Sequence, residues 1–209
     1  ASPIIVGEKV ILASADEAAK KQLLLCFDRR TGKELWRTTV HEGGLMRMHS
    51  KNTHASATPA CDGQRVLAAF INAGALRVTA TDLAGKILWQ KEAGAFKSEH
   101  GYGSSPVFYK SLAIVCGDNA GSSFIAALDR ESGDIVWRTA RERPGTHGNY
   151  ATPLVRTLAG KPQLLLHGHG KLTSYDPATG ERLWFCDGPA EVAACTLAGA
   201  ARHKLRQVF

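Results

Sequence analysis

The chain has 209 residues, of which 44 % are hydrophobic and 22 % charged, with 21 glycines and 8 prolines; this composition excludes disordered, collagen-like and coiled-coil classes. Lys and Arg total 26 against 19 Asp and Glu, a net charge of +7, but Arg202, Lys204 and Arg206 fall in the last eight residues and the remaining signs are interspersed. That pattern is a solvated surface rather than a nucleic-acid-binding stripe, and no run of 18 apolar residues provides a membrane-spanning helix.

The first element, about residues 2–40, opens at Ser2-Pro3 and closes on Cys26-Phe-Asp-Arg-Arg-Thr-Gly-Lys-Glu-Leu-Trp36. The second, about 58–92, opens at Thr58-Pro59 and closes on Ala80-Thr-Asp-Leu-Ala-Gly-Lys-Ile-Leu-Trp89. The third, about 105–140, opens at Ser105-Pro106 and closes on Ala127-Leu-Asp-Arg-Glu-Ser-Gly-Asp-Ile-Val-Trp137. Its pattern predicts four strands at 106–109, 112–116, 123–128 and 134–139, with Gly117-Asp-Asn-Ala-Gly121 between the second and third as a loop of strong turn chemistry. The fourth, about 152–186, opens at Thr152-Pro153, closes on Ser174-Tyr-Asp-Pro-Ala-Thr-Gly-Glu-Arg-Leu-Trp184, and predicts strands at 154–155, 163–166, 172–175 and 182–185. A fifth element is expected to start at about 190–197, followed by an irregular tail over 198–209. The chain begins without Met or a leader pattern, and is expected to be the cut edge of a longer frame.

The tryptophans are 53, 48 and 47 residues apart, and Gly precedes each by four. The Ser/Thr-Pro marker runs in phase. Asp accepts backbone N–H groups two residues on, Gly supplies the positive φ that closes a hairpin, and Pro is harmless at a strand start. Four short strands repeating every 47 or so residues predict blades of a β-propeller, each stabilised only by stacking on its neighbours. One Trp per blade suits an anchor between blades.

The motif Ala-x-Asp-x-x-Thr-Gly-x-x-x-Trp resembles the PQQ-like (quinoprotein-type) propeller repeat across essentially residues 2 to 195. Cys26 and Ser174 replace the usual Ala, and the turn at Asp82 is one residue shorter. The resemblance implies an all-β arc of four four-stranded antiparallel blades, part of a seven- or eight-bladed ring whose other blades lie elsewhere in the full chain. It also implies that each Trp docks on a neighbouring blade near a glycine, through Gly32, Trp36, Gly85, Trp89, Gly133, Trp137, Gly180 and Trp184.

Each connection between blades carries a histidine: His54, His100 and His147. With Tyr102 and Asn149 they form a candidate ligand-binding mouth if the first strands line the axis. An arc holds these loops too far apart for a single tetrahedral ion, so no metal site is expected. His167-Gly-His169 is read as a loop, and Asp118-Asn119 as part of its turn. The five cysteines (Cys26, Cys61, Cys116, Cys186 and Cys195) are scattered, which argues against a disulfide framework and suits small core residues.

The expected function is a non-catalytic repeat scaffold offering a surface to a protein or small ligand, with no cofactor. Resemblance implies an extracytoplasmic bacterial setting. The alternative is a PQQ-dependent oxidoreductase with Ca²⁺, its catalytic residues outside this segment. Those enzymes stack the quinone between a Trp and a disulfide of adjacent cysteines, and no adjacent cysteines occur here.

Overall fold

The computed structural model describes residues 1–142 and 148–188. Every regular element among them is a strand. Blade 1 consists of β1 (Ile4–Val6), β2 (Lys9–Asp16), β3 (Lys21–Asp28) and β4 (Glu34–Glu42). Blade 2 consists of β5 (Ala60–Cys61), β6 (Arg65–Asn72), β7 (Ala75–Asp82) and β8 (Ile87–Ala95). Blade 3 holds β9 (Val107–Tyr109), β10 (Leu112–Gly117), β11 (Phe124–Asp129) and β12 (Ile135–Ala140). Blade 4 holds β13 (Leu154–Leu158), β14 (Lys161–Gly168), β15 (Lys171–Tyr175) and β16 (Arg182–Asp187). Each blade is an antiparallel meander with strands in sequence order, the propeller architecture expected from the repeat. The expected fifth blade start and the tail lie outside the described residues.

The first strands β1, β5, β9 and β13 stand beside one another along the axis. A hydrogen-bond ladder ties them. The Ser2 N–H donates to Thr58 Oγ1 at 3.0 Å, Thr58 N–H to Ser105 Oγ at 2.9 Å, and Ser105 N–H to Thr152 Oγ1 at 3.0 Å. The Ser/Thr of each Ser/Thr-Pro marker therefore links one blade to the next, while Pro tolerates the strand start.

The aspartate turns close as their chemistry dictates. Asp28 Oδ1 accepts the backbone N–H groups of Arg30 and Thr31, and Asp129 Oδ1 accepts those of Glu131 and Ser132. These bonds, to side chain and backbone, hold both carboxyls below their ordinary range. Past the turn, every blade carries a β-bulge at the same register position, and blades 1 and 2 carry a second one further along. Cys26 pairs with Trp36 and Phe27 with Glu34, so Leu35 is extra; the same geometry leaves Leu88, Val136 and Leu183 extra in the other blades. A bulge re-aims the side chain beside it. Here the extra residue stays 44–54 % exposed, while the following Trp turns toward the next blade in blades 1 to 3.

Three apolar clusters fill the three seams. Ile11, Leu24, Cys26, Val66 and Phe70 join blade 1 to blade 2. Leu67, Val78, Trp89, Val115 and Phe124 join blade 2 to blade 3. Ile114, Ile125, Leu164, Leu166 and Tyr175 join blade 3 to blade 4. The sheets of blades 2 and 3 bury apolar residues on both faces because each has a described neighbour on both sides, and burial of this kind is the main stabilising term. Cys26 and Cys116 are core residues as expected, but Cys186 is exposed on the outer strand β16. Cys195 lies outside the described residues.

Candidate functional site

The docking residues pair across blades, not within one repeat. A Cβ on Gly85 would lie 2.8 Å from the Trp36 ring, one on Gly133 2.6 Å from Trp89, and one on Gly180 2.4 Å from Trp137. All three glycines have positive φ, between 73° and 83°, so the position needs Gly both for its backbone and for ring contact. The Trp36 indole N–H donates to Leu83 O at 3.1 Å and that of Trp89 to Arg130 O at 3.0 Å. Thr38 and Thr139 add hydroxyl bonds to the Gly85 and Gly180 carbonyls at 2.6 and 2.7 Å. At the two ends of the described array, Gly32 has nothing within 4 Å of its Cβ position. Trp184 is 38 % exposed and donates to Gln163 within its own blade.

The connections between blades meet at one end of the axis in an open cleft of about 440 Å³ lined by His49, Lys51, Asn52, His100, Tyr102 and Tyr150 among others. The cleft brings His100 and Tyr102 together. His49, which the sequence reading passed over, joins them with its ring centroid 5.6 Å from that of His100. Most polar atoms here hold the loops in place. Asn52 Nδ2 donates to His100 O, Ser56 to Asn52 Oδ1, and the Lys51 N–H to His49 Nδ1 at 3.1 Å. The Tyr102 hydroxyl donates to Cys116 O at 3.1 Å, and burial pushes its phenol well above the ordinary range. His54 does not reach this cleft; its Nε2 lies 3.9 Å from Glu17 and its carbonyl accepts from Gln22. Asn149 is buried and turned toward blade 4, where its amide meets His169 Nδ1 at 3.0 Å. His147 lies outside the described residues.

The densest polar site was not legible in the sequence, and two expectations need correction there. Asp118 is more than a turn residue. It is fully buried and takes a bidentate bond from Arg141, Nε to Oδ1 at 2.7 Å and Nη2 to Oδ2 at 3.1 Å. Asn119 makes the turn, its side chain bonding Gly117 O and the Gly121 N–H and its backbone N–H donating to Ser123 Oγ. Nor is His167-Gly-His169 a loop throughout, since only His169 lies in the turn. β14 continues through Gly168, which pairs with Lys171, so His167 is a buried strand residue. His169 takes φ of 57° at the tip of that hairpin and is buried with its Nε2 at 3.4 Å from Asp118 Oδ2. Glycines on both sides make the tight hairpin that turns this ring inward.

Arg141 is also buried, and its Nη1 donates to the Tyr175 hydroxyl at 2.7 Å. Burial alone would raise the Asp118 carboxyl, but the Arg141 charge, followed by His169, holds it below its ordinary value. Desolvation pulls the Arg141 guanidinium down, and Asp118 more than compensates. The pair therefore sits ionised in the seam between blades 3 and 4, among the buried polar side chains of His169, Asn149 and Tyr175. Arg and Asp so far apart in sequence carry no motif, so only the folded chain shows the pair.

The residues present do not fit a quinone site of the type weighed above. Cys26, Cys61, Cys116 and Cys186 lie on different strands or blades, and none is adjacent to another. Trp36, Trp89 and Trp137 are committed to seams. No group of three or more His, Cys, Asp or Glu suited to a metal occurs among the described residues.

The family model described as "Outer membrane protein assembly factor BamB" matches residues 20–186. Among solved structures, quinohemoprotein alcohol dehydrogenase from Comamonas testosteroni superposes with a TM-score of 0.68 at 16 % identity, over 89 % of this chain and 34 % of that one. BamB from Moraxella catarrhalis gives 0.60 at 19 % identity, over 90 % of this chain and 52 % of that one. Quinohemoprotein alcohol dehydrogenase ADHIIG from Pseudomonas putida HK5 gives 0.64 at 14 %, over 88 % and 33 %. The chain thus spans about a third to a half of these proteins. No match was found among curated protein sequences.

Proposed function

Because the chain belongs to the family described as outer membrane protein assembly factor BamB, within the PQQ-like propeller repeats, we propose that it acts as a non-catalytic binding scaffold. The observation that carries this reading is the division of labour at the axial cleft. Polar atoms of Asn52, Ser56, His49 and Tyr102 hold the loops, and His49, His100, Tyr102 and Tyr150 line the opening. Loops on a β scaffold that gather imidazole and phenol side chains suit a contact surface for a protein or a small ligand. An extracytoplasmic setting is part of the same proposal, supported by the family relationship.

The second reading, a PQQ-dependent oxidoreductase, is favoured by the fold likeness to quinohemoprotein alcohol dehydrogenases. Fold likeness is a weak warrant for activity, and the residues of this segment lack the quinone-stacking set. The two readings part on reconstitution with PQQ and Ca²⁺. The scaffold predicts neither saturable quenching of tryptophan fluorescence nor reduction of an artificial dye acceptor. Turnover of dye would overturn it.

A further inference from the structure

The seam between blades 3 and 4 opens into a cleft of about 300 Å³, lined by Arg141, Glu142, His169, Lys171, Tyr175 and Arg182 among others. It is separate from the axial cleft, whose lining shares none of these residues. We propose that this cleft binds a small oxyanion, a phosphate or a carboxylate.

Charge, donor supply and pre-organisation argue for it together. Arg141, Lys171 and Arg182 bring three fixed cations, against the carboxylates of Asp118 and Glu142, so the wall carries a surplus of one positive charge before His169 is counted. Arg141 uses three of its five N–H groups on Asp118 and Tyr175. One N–H on each terminal nitrogen lies outside these bonds, and Arg141 is part of the cleft lining. The guanidinium is locked by that pair, so little conformational entropy is lost when it binds an anion. His169 also lines the cleft, with its Nε2 held 3.4 Å from Asp118 Oδ2.

Blade docking does not require this chemistry. At the seam between blades 1 and 2 the bridging job falls to neutral amides: Asn72 Nδ2 donates to Gln22 Oε1 and Gly43 O, and Gln22 Nε2 to Ile71 O. A neighbouring cavity there, lined by His54, Phe70 and Ile71, is only about 20 Å³, room for a water. Buried charge is costly where neutral groups suffice, and the third seam carries both the charge and the space.

Glu142 sets the affinity. It is 60 % exposed at the lip and bonds both Lys171 Nζ at 2.7 Å and Arg182 Nη1 at 2.8 Å. An incoming oxyanion must displace this internal carboxylate from the two cations.

The test is calorimetric titration of the full chain with inorganic phosphate and, separately, with acetate, at fixed ionic strength in chloride. Saturable binding of either anion supports the site and identifies which oxyanion it takes. The Lys171→Gln/Arg182→Gln pair, which leaves Asp118–Arg141 intact, should weaken it by about tenfold for each charged bond lost. Glu142→Gln should tighten it, an effect that a purely structural ion network does not produce. Melting curves in chloride establish that each variant is folded. Absence of saturable binding to both anions, or binding unchanged in the double variant, would overturn the proposal.

Discussion

The first and third seams solve one packing problem with different polar chemistry. Both place a Trp on the next blade's glycine and a Thr hydroxyl on that glycine's carbonyl, as Trp36/Thr38/Gly85 and Trp137/Thr139/Gly180. Beyond that interlock, the first seam is bridged by the amides of Gln22 and Asn72, and the third by the Asp118–Arg141 ion pair with His169 and Tyr175. The shared part is steric and recurs with the repeat. The polar part is local and free to diverge, because it only has to satisfy whatever groups the seam buries.

The largest expected effect comes from breaking the ion pair on one side. Asp118→Asn leaves the Arg141 charge buried without a counter-ion and should cost about 3–5 kcal/mol, read from urea unfolding. Asn72→Ala, the matching lesion in the first seam, should cost about 1–3 kcal/mol. If the two costs are equal, the seams do not differ in the way described. Replacing Asp118 and Arg141 together by apolar residues should recover most of the loss.

Glycine substitutions probe the shared part. Gly85→Ala and Gly180→Ala meet both a left-handed backbone and a Trp ring, whereas Gly32→Ala meets only the backbone. Gly32→Ala should cost about 1–2 kcal/mol, and the other two clearly more, by thermal denaturation. Equal effects at all three positions would remove the steric interlock.

Acid should open the seams in different windows. In the first seam His41 packs edge-on against Phe70, and burial, reinforced by Arg77, holds its pKa at about 4. The unfolded value is about 6.5, so the stability from its neutral form is complete above that pH and drains away as pH falls toward 4. Asp118 also has a lowered pKa. Its contribution survives down to its unfolded value of about 3.9 and is lost only below it. Hydrogen exchange followed by blade should therefore show β4 and β6 loosening before β10 and β14 as pH is lowered. The reverse order would contradict this assignment. The smallest effect is expected from the axial ladder, where Ser105→Ala removes the acceptor for the Thr58 N–H and should cost about 1 kcal/mol.

What could be read from the sequence is what repeats. The Asp turn, the positive-φ Gly and the Trp stand at fixed offsets, so four copies disclose one blade. The bulge at Leu35, Leu88, Val136 and Leu183 explains why the Gly-to-Trp spacing never changes: a shift of one residue would turn the Trp to the opposite face. The Ser/Thr of the second marker was visible, but its hydroxyl bond to the neighbouring blade depends on curvature around the axis. Asp118 and Arg141 were invisible because they occur once, 23 residues apart, and Asp118 sits in text that turn chemistry already accounts for. His169 was hidden by the glycines that place it. The mouth was legible only in part: His100 and Tyr102 line it, His54 is held near Glu17, and Asn149 serves the next blade.

The interlock between successive blades is tested most directly by a double-mutant cycle on Trp137. Trp137→Phe combined with Gly180→Ala, across the seam, should depart from additivity by about 0.5 kcal/mol or more, whereas Trp137→Phe with Gly133→Ala, inside one repeat, should add within about 0.3–0.5 kcal/mol. Coupling to Gly133 with additivity toward Gly180 would mean that each tryptophan serves its own hairpin, and would contradict the account.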